Sequence, residues 1–281
     1  MLTLIKLIPI LLSFVILSCG ESDYQDVKVF FDSGQIKAEG VMFEGYEHGP
    51  WIRYYENGNK ESQGMFHMGT QTGDWYWFHE NGKLKESSHF EQNDAHGLSK
   101  RFYDNGTPRN VDYWSYDLRD GISYAWHRNG RKSYRGLYNE GLRDSVWVWY
   151  YDNGQKEDSV YFDRGDEEGL GVSYHKNGLQ KALGQWKMGY KFGVWRYYNQ
   201  KGFLIAKGEF NEYGYRNGEW LIKDSFGEND SIFLYKFGNI DSCYRLEFDT
   251  LNLDSINISP YELKGSEELD EESNSYSDYQ G

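Results

Sequence analysis

The sequence contains few of the residues that would build a disulfide framework, a nucleic-acid surface or a helical core. Only two of its 281 residues are cysteines, too few for a disulfide framework. Its 30 basic side chains are outnumbered by 44 acidic ones, for a formal charge of −14. That balance argues against nucleic acid, which needs a basic stripe, and against electrostatic docking on anionic lipid. Beyond residue 20, no sustained apolar pattern at helical spacing occurs.

Aromatic residues and glycine are abundant instead. Aromatics make up 18% of the chain, with 25 Tyr, 16 Phe and 10 Trp, and there are 32 glycines against four prolines. Aromatic side chains favour strands and glycine favours turns. The composition therefore predicts an all-β protein with regular turns.

The first twenty residues read as a targeting segment. Lys6 precedes an apolar run of eleven residues, Leu7–Leu17, which is too short to span a bilayer but suits a signal peptide. The following Ser18-Cys19-Gly20 resembles the bacterial lipobox, in which the cysteine becomes the acylated N-terminus. We expect Cys19 to be lipidated, which would leave Cys243 as a lone thiol. The alternative is an ordinary secretory signal with an incidental cysteine.

A 24-residue repeat covers most of the remaining chain. Glycines recur at intervals of 24, and six of the eight follow an asparagine. The glycines are Gly34, Gly58, Gly82, Gly106, Gly130, Gly154, Gly178 and Gly202. Fixed spacing of this kind is the signature of a repeat architecture.

Other columns keep the same step. An aromatic residue stands eight positions after each glycine from Gly58 onward, which gives Phe66, Phe90, Trp114, Tyr138, Phe162, Trp186 and Phe210. A tryptophan column holds Trp51, Trp75, Trp147 and Trp195, and a second glycine column holds Gly40, Gly64, Gly136, Gly184 and Gly208. We expect the aromatic column to form a buried spine, with one ring per hairpin on a common face.

The unit from Trp51 to Gly73 predicts two strands and two turns. Asn57-Gly58 between strand-like runs predicts a type I′ hairpin turn, which places Trp51 opposite Gly64 and leaves room for the indole. Gly69 and Gly73 mark the turn at the other end of the unit. In later copies Asn93 or Asp117 replaces the first of these two glycines, and both residue types tolerate positive φ. One residue is inserted between Phe210 and Gly214, which shifts the ninth copy.

The predicted fold is an elongated antiparallel β-meander solenoid of stacked 24-residue β-hairpin repeats. We divide the chain into a lipoprotein signal peptide (1–18), a linker after the lipidated cysteine (19–26), the repeat array (27–238), a capping segment (239–263) and an acidic disordered tail (264–281).

The repeated motif W-x-x-Y-Y-x-N-G-x-x-x-x-x-G-x-F-x-x-G-x-x-x-G resembles the MORN repeat family in its bacterial variant. Residues 51–73 match it at every fixed position, and the resemblance extends over about residues 27–238. It implies a scaffold, a protein-binding ribbon or a lipid-associated element, and it supplies no catalytic residues. Some members are labelled antitoxin-like. A rival resemblance is to the cell-wall-binding repeats that hold sugars or choline on aromatic residues.

One further column is a candidate ligand face. Tyrosine and histidine alternate three residues before the turn glycines, at Tyr55, His79, Tyr103, His127, Tyr151 and His175. The histidines are 48 residues, or four strands, apart, so they cannot converge on one metal ion. The alternatives are a two-repeat duplication whose rings line one face and a groove that stacks a polymeric ligand.

We therefore expect a non-catalytic protein-binding or scaffold protein, tethered to the cell envelope by Cys19, without cofactor or metal. Its partner is an unidentified protein, with a lipid anchor in the membrane and no nucleic acid. A glycan- or cell-wall-binding module and an antitoxin-like, toxin-neutralising protein are the alternatives.

Overall fold

The computed structural model of the protein describes residues 23–223 and 230–245, which form strands joined by short turns and contain no helix. The predicted signal peptide, Cys19, most of the predicted capping segment and the acidic tail lie outside these residues.

Within these described residues, twenty strands follow one another. Their bounds are β1 Tyr24–Phe30, β2 Ile36–Phe43, β3 Tyr46–Tyr54, β4 Lys60–His67, β5 Thr70–Phe78, β6 Leu84–Glu91, β7 Asp94–Phe102, β8 Pro108–Ser115, β9 Leu118–Arg119, β10 Gly121–Trp126, β11 Lys132–Asn139, β12 Leu142–Tyr150, β13 Lys156–Asp163, β14 Asp166–Tyr174, β15 Gln180–Lys187, β16 Tyr190–Tyr198, β17 Leu204–Phe210, β18 Arg216–Lys223, β19 Asp230–Lys236 and β20 Asn239–Arg245.

The strands form one antiparallel sheet in which each strand pairs with the next. The exception is the two-residue β9, which pairs only with β8, while β8 also pairs with β10. This confirms the all-β meander of hairpin repeats. Two boundaries change. Pairing begins at Tyr24, inside the predicted linker 19–26, because β1 pairs along its length with β2. At the other end, β20 pairs with β19, so the meander continues past residue 238.

The turn at Asn57-Gly58 is not the predicted type I′ turn. Gly58 has a φ of 85°, whereas Asn57 does not adopt positive φ. Gly58 N–H donates to the carbonyl of Tyr55, and Tyr55 N–H donates to that of Asn59. These bonds are typical of the three-residue hairpin loop, in which a type I turn is followed by a glycine in the left-handed region. Trp51 still pairs with Gly64, because a register shift next to Tyr54 compensates for the longer loop.

The type I′ geometry occurs at the opposite edge of the sheet. Met68 and Gly69 form a two-residue loop, and both have positive φ. Asn93 and Asp117 adopt positive φ where glycine is missing, as predicted. Gly73 does not belong to this turn. It lies within β5, where the pairing between β4 and β5 shifts register, and there it too has positive φ.

The insertion before Gly214 changes the turn type. Asn211 N–H donates to the carbonyl of Tyr215, and Gly214 N–H donates to that of Asn211. The two-residue loop of the other copies has become a three-residue loop that ends in glycine. The inserted residue is thus absorbed at the turn, as the sequence predicted.

Tryptophan rings packed on glycines form the core of one face, which we call the ladder face. The predicted reason for the inner glycine was right, but the predicted partner was wrong: Trp51 packs over Gly40 of the preceding strand, and Trp75 packs over Gly64. A Cβ on any of these glycines would lie 2.1–2.3 Å from the ring above it. The pairs are Gly40–Trp51, Gly64–Trp75, Gly136–Trp147, Gly184–Trp195 and Gly208–Trp220.

Each of these indoles also donates to the main chain. Trp75 Nε1 donates to the carbonyl of Met65 at 3.2 Å, one residue beyond its glycine, and Trp147 Nε1 donates to that of Leu137 at 3.0 Å. A buried indole N–H needs such a partner. The ring therefore holds the bulged strand through both packing and a hydrogen bond.

The aromatic column packs between these tryptophans on the same face. Phe66 contacts Trp75 edge-to-face, with ring centroids 4.9 Å apart, and Phe210 contacts Trp220 in the same way at 5.0 Å. The prediction that every member is largely buried was too strong. Phe66, Phe162 and Phe210 are buried, but Phe90, Trp114, Tyr138 and Trp186 are half-buried. The most deeply buried rings are those of Trp75, Trp147 and Trp220, at 0–1% exposure, because each lies flat on the backbone of a glycine.

Candidate functional site

The alternating tyrosines and histidines have structural partners in the next repeat. Each places its terminal polar atom on a main-chain carbonyl 23 residues later. The six contacts are Tyr55–Phe78, His79–Phe102, Tyr103–Trp126, His127–Tyr150, Tyr151–Tyr174 and His175–Tyr198, at 2.7–3.0 Å. Tyrosine and histidine are interchangeable here because both reach the carbonyl with a donor.

The carbonyl partner also fixes the histidine tautomer. A main-chain carbonyl oxygen accepts but cannot donate, so His79, His127 and His175 must carry a proton on Nε2. Nε2 of each histidine is therefore engaged within the array, and Nδ1 is the ring nitrogen that keeps a lone pair. The turn asparagines act similarly: Asn57 accepts from Asn59 N–H and donates to the carbonyl of Glu80 in the next turn.

Two central repeats replace the tryptophan–glycine pair by polar side chains. Ser88 and Ser99 occupy the glycine and tryptophan positions, and their hydroxyls lie 2.7 Å apart. In the next repeat, Ser123 donates to the carboxylate of Asp112 at 2.6 Å, and both residues are buried. The ladder is thus interrupted by a polar segment.

Asp112 is the most buried carboxylate of this segment, with its side chain 1% exposed. Besides Ser123, Asn110 donates to it, and Arg119 lies 3.6 Å away. The Arg101 guanidinium lies in the same network, where a hydrogen bond to Glu86 raises its pKa. A buried charge is tolerated only when it is paired and hydrogen-bonded, and Asp112 meets both conditions.

In a third repeat, the tryptophan–glycine pair is also missing, but another aromatic ring takes the place of the tryptophan. Val160 and Gly171 occupy the glycine and tryptophan positions, so the usual indole is missing. Trp186 fills the space: its Nε1 would lie 2.3 Å from a Cβ added at Gly171. The packing is preserved by a ring from the aromatic column.

Several copies place a cation over their rings. Lys191 Nζ lies 4.4 Å from the ring centroid of Trp195 and donates to the Tyr197 hydroxyl. Arg143 lies 4.8 Å from Trp147. Burial lowers the pKa of Lys191, and burial raises the pKa of Tyr197 to about 12. These cations stand four residues before the tryptophan of their repeat.

The opposite face carries an exposed apolar row. Its members are Leu98, Tyr113, Ile122, Val146, Tyr161 and Leu170, each 37–44% exposed. Each lies next to a buried ladder-face residue, and successive strand residues point to opposite faces. Cross-strand pairing joins Leu98 to Tyr113 and Val146 to Tyr161. We call this set the exposed row.

The exposed row is bounded by polar residues, although Met65, which is 44% exposed, holds the position of Tyr113 two repeats earlier. At the same two positions, the preceding repeat has Asp74 and His89, which form a 2.8 Å ion pair. Gln185 and Glu209 hold the position of Tyr161 in the following repeats. Large exposed apolar surfaces mark interaction sites in soluble proteins. The sequence columns reveal this row only once the buried face is known.

Exposed rings also cluster at the turn edge of the last repeats. Tyr190 lies against Gly214, and Tyr215 lies against Gly238. Both rings remain more than half exposed. Met188, Tyr213 and Phe237 lie in the same three turns and are exposed as well.

Within residues 23–223 and 230–245, no group of three or more His, Cys, Asp or Glu side chains is arranged to hold a metal ion. The same residues include no helix with the length and hydropathy needed to cross a bilayer. Cys243 lies exposed on β20 as a free thiol.

These features define a tandem-repeat protein in which each position recurs and structural contacts join every hairpin to the next. The family model described as "MORN repeat variant" matches residues 47–67 and 71–92, so the chain contains MORN repeats. The matched stretches correspond to β3–β4 and β5–β6.

No curated protein matches the sequence. Among solved structures, one titled "Crystal Structure of TcdB2-TccC3-Cdc42" aligns over 82% of this chain and 15% of its own, with 9% identity and a TM-score of 0.20. The chain thus spans a small part of that protein, and a likeness at this score says nothing about function.

Proposed function

We propose that this protein is a non-catalytic scaffold that binds a protein partner through the exposed row and is tethered to the cell envelope by a lipidated Cys19. The observation that supports binding is the row itself. Six apolar side chains stay 37–44% exposed on the face opposite the buried ladder. The tether is supported by the lipobox-like Ser18-Cys19-Gly20 after an apolar run.

Photo-crosslinking from the row tests the binding proposal. A photoreactive residue at Tyr161 is expected to capture an envelope protein in cells, because Tyr161 is a member of the row and is 43% exposed. The matched control is Lys85, an exposed residue on the same face of β6, outside the row. Equal capture from both positions, or none from either, would contradict the proposal.

Fatty-acid labelling tests the tether. Labelled fatty acid is expected in the wild type and not in Cys19→Ala. Cys243→Ala is the matched control, because it removes the other cysteine of the chain. Equal labelling of wild type and Cys19→Ala would refute the anchor.

A glycan-binding module is the second candidate, and the exposed tyrosines of the last turns favour it. Tyr190 and Tyr215 lie against glycines and remain accessible, which suits stacking on sugar rings. Retention on purified peptidoglycan that is lost in Tyr190→Ala with Tyr215→Ala would support this candidate. Release of reducing ends in the same assay would overturn the non-catalytic proposal. An antitoxin-like role stays a prediction that no observation here favours.

A further inference from the structure

The ladder face contains the same arrangement of four aromatic rings in three repeats. Two of the three enclose a cation of the chain itself. In one, Arg143 stands among Tyr138, Trp147, Trp149 and Phe162. In another, Lys191 stands among Trp186, Trp195, Tyr197 and Phe210.

The third arrangement has a neutral residue where the cation would stand. Gln71 takes the place of Arg143 and Lys191, 72 and 120 residues earlier, which are three and five whole repeats. Its pairing is equivalent too: Gln71 pairs with Phe66 as Arg143 pairs with Tyr138. We call the rings around it the Gln71 ring set, which consists of Phe66, Trp75, Trp77 and Phe90.

The rings of this set have the geometry of a set that holds a cation. Phe66 and Trp75 have centroids 4.9 Å apart at 78°, and Trp75 and Trp77 are 5.7 Å apart at 28°. The equivalent values around Arg143 are 4.9 Å at 80° for Tyr138–Trp147 and 5.7 Å at 29° for Trp147–Trp149. The cation is therefore not needed to create the arrangement.

No cation of the described chain lies over Trp75, Trp77 or Phe90. Arg53 reaches Phe66 at 5.6 Å, but its guanidinium is paired with Glu47 at 3.0 Å. The Gln71 side chain is half-buried, and the two hydrogen bonds that join Gln71 to Asn93 use the Gln71 main chain. Trp77 and Phe90 are half-buried, so part of each ring remains accessible, whereas Phe66 and Trp75 are 7% and 1% exposed and form the buried side of the ring set.

We infer that the Gln71 ring set binds an organic cation from outside the chain, carrying an alkylammonium or guanidinium group. Aromatic faces attract such cations through the ring quadrupole, most strongly for tryptophan. The chain supplies an ammonium in one repeat and a guanidinium in another, and each satisfies the same rings. The site lies on the ladder face and is separate from the exposed row.

The inference is tested by titrating small cations into the protein while the NMR chemical shifts of the tryptophan indole N–H groups are followed. Tetramethylammonium chloride and N-acetyl-arginine amide are the probes, and sodium chloride at equal ionic strength is the control. In the wild type, at least one probe is expected to shift the Trp75 and Trp77 resonances saturably. Gln71→Lys places a resident cation in the ring set and should abolish that shift.

The reciprocal variant makes the test symmetrical. Lys191→Gln removes the resident cation and should give the Trp195 resonance a saturable response that the wild type lacks. Unchanged Trp147 resonances in both variants show that the fold is intact. No saturable shift in the wild type with either probe, or a shift that persists in Gln71→Lys, would overturn the inference.

Discussion

The indole of Trp75 lies flat on Gly64, with a separation that leaves no room for a Cβ: one added there would lie 2.2 Å from the ring. Only glycine therefore permits the ring to reach the backbone and its Nε1 to reach the carbonyl of Met65. The same relationship in five repeats makes this contact the unit of the core.

A double-mutant cycle tests the contact. Gly64→Ser should destabilise the protein by about 3 kcal/mol, because the new side chain overpacks the ring. The pair Gly64→Ser with Trp75→Ser reproduces Ser88 and Ser99 of the next repeat, so the serine should be better tolerated once the ring is gone. Urea unfolding is expected to show a coupling of about 2 kcal/mol between the sites. Additive effects would refute the packing argument.

The tyrosine–histidine column gives a second prediction. His127→Phe should cost about 1 kcal/mol, because it removes the donor to the Tyr150 carbonyl and keeps the ring. His127→Tyr should be nearly neutral, since Tyr103 and Tyr151 make the same bond in the adjacent repeats. Chemical unfolding of the two variants at one pH compares them. Equal destabilisation by both would mean that the hydrogen bond contributes nothing.

The sequence predicted the meander, the repeat period and the pairing of Trp51 with Gly64, because regularly spaced turn glycines leave few alternatives. It missed the turn type at Asn57, since Asn-Gly suits two hairpin loops and the choice depends on how the next repeat packs. The bond from Asn57 to the carbonyl of Glu80 belongs to that packing.

Which glycine each indole covers was also beyond the sequence. Gly40 and Gly64 flank Trp51 on neighbouring strands, and only the side-chain direction decides between them. The exposed row was missed for a related reason: its residues read as ordinary strand formers until the buried face is known. The Tyr/His column was visible, but its partners 23 residues later were not.

The buried Asp112 gives a third prediction. Asp112→Ala should cost about 3–5 kcal/mol, because it leaves Arg119 and Ser123 without their carboxylate. Asp112→Gly with Ser123→Trp would restore the ladder pair and should be at least as stable as the wild type. Thermal unfolding of the two variants compares them. A double variant less stable than Asp112→Ala would show that this segment cannot accept the ladder.

Glu39 and Tyr54 predict a pH dependence at the N-terminal end of the array. The Tyr54 hydroxyl donates to Glu39 at 2.7 Å, and this bond, aided by Lys28, lowers the pKa of Glu39 below its usual 4.5. Because the pKa of Glu39 is lower in the folded state, its ionised carboxylate stabilises the fold at pH values above the pKa of the unfolded chain. This stabilisation is lost as the pH falls through the pKa of the folded state. The same bond raises the pKa of Tyr54 to about 12. The free energy of folding that the protonated Tyr54 hydroxyl contributes is therefore lost as the pH rises from 10 towards 12.

Tyr54→Phe is the variant that tests this pair. Its difference from the wild type in free energy of unfolding should be present at pH 7 and should shrink as the pH falls below 4.5. Urea unfolding across the acid range measures it, with Glu39→Gln as the control that removes the titrating group. A difference that stays constant with pH would contradict the linkage.

The most direct test of the division between the two faces uses neighbouring residues of β12. Trp147 is 1% exposed on the ladder face, and Val146 is 42% exposed in the exposed row. Urea unfolding of the two single variants should give very different free energies of unfolding. Trp147→Ala should lower the free energy of unfolding by about 3–5 kcal/mol, while Val146→Ser should change it by about 0.5 kcal/mol or less. Comparable losses in both variants would mean that the row is part of the core and not a surface left free for a partner.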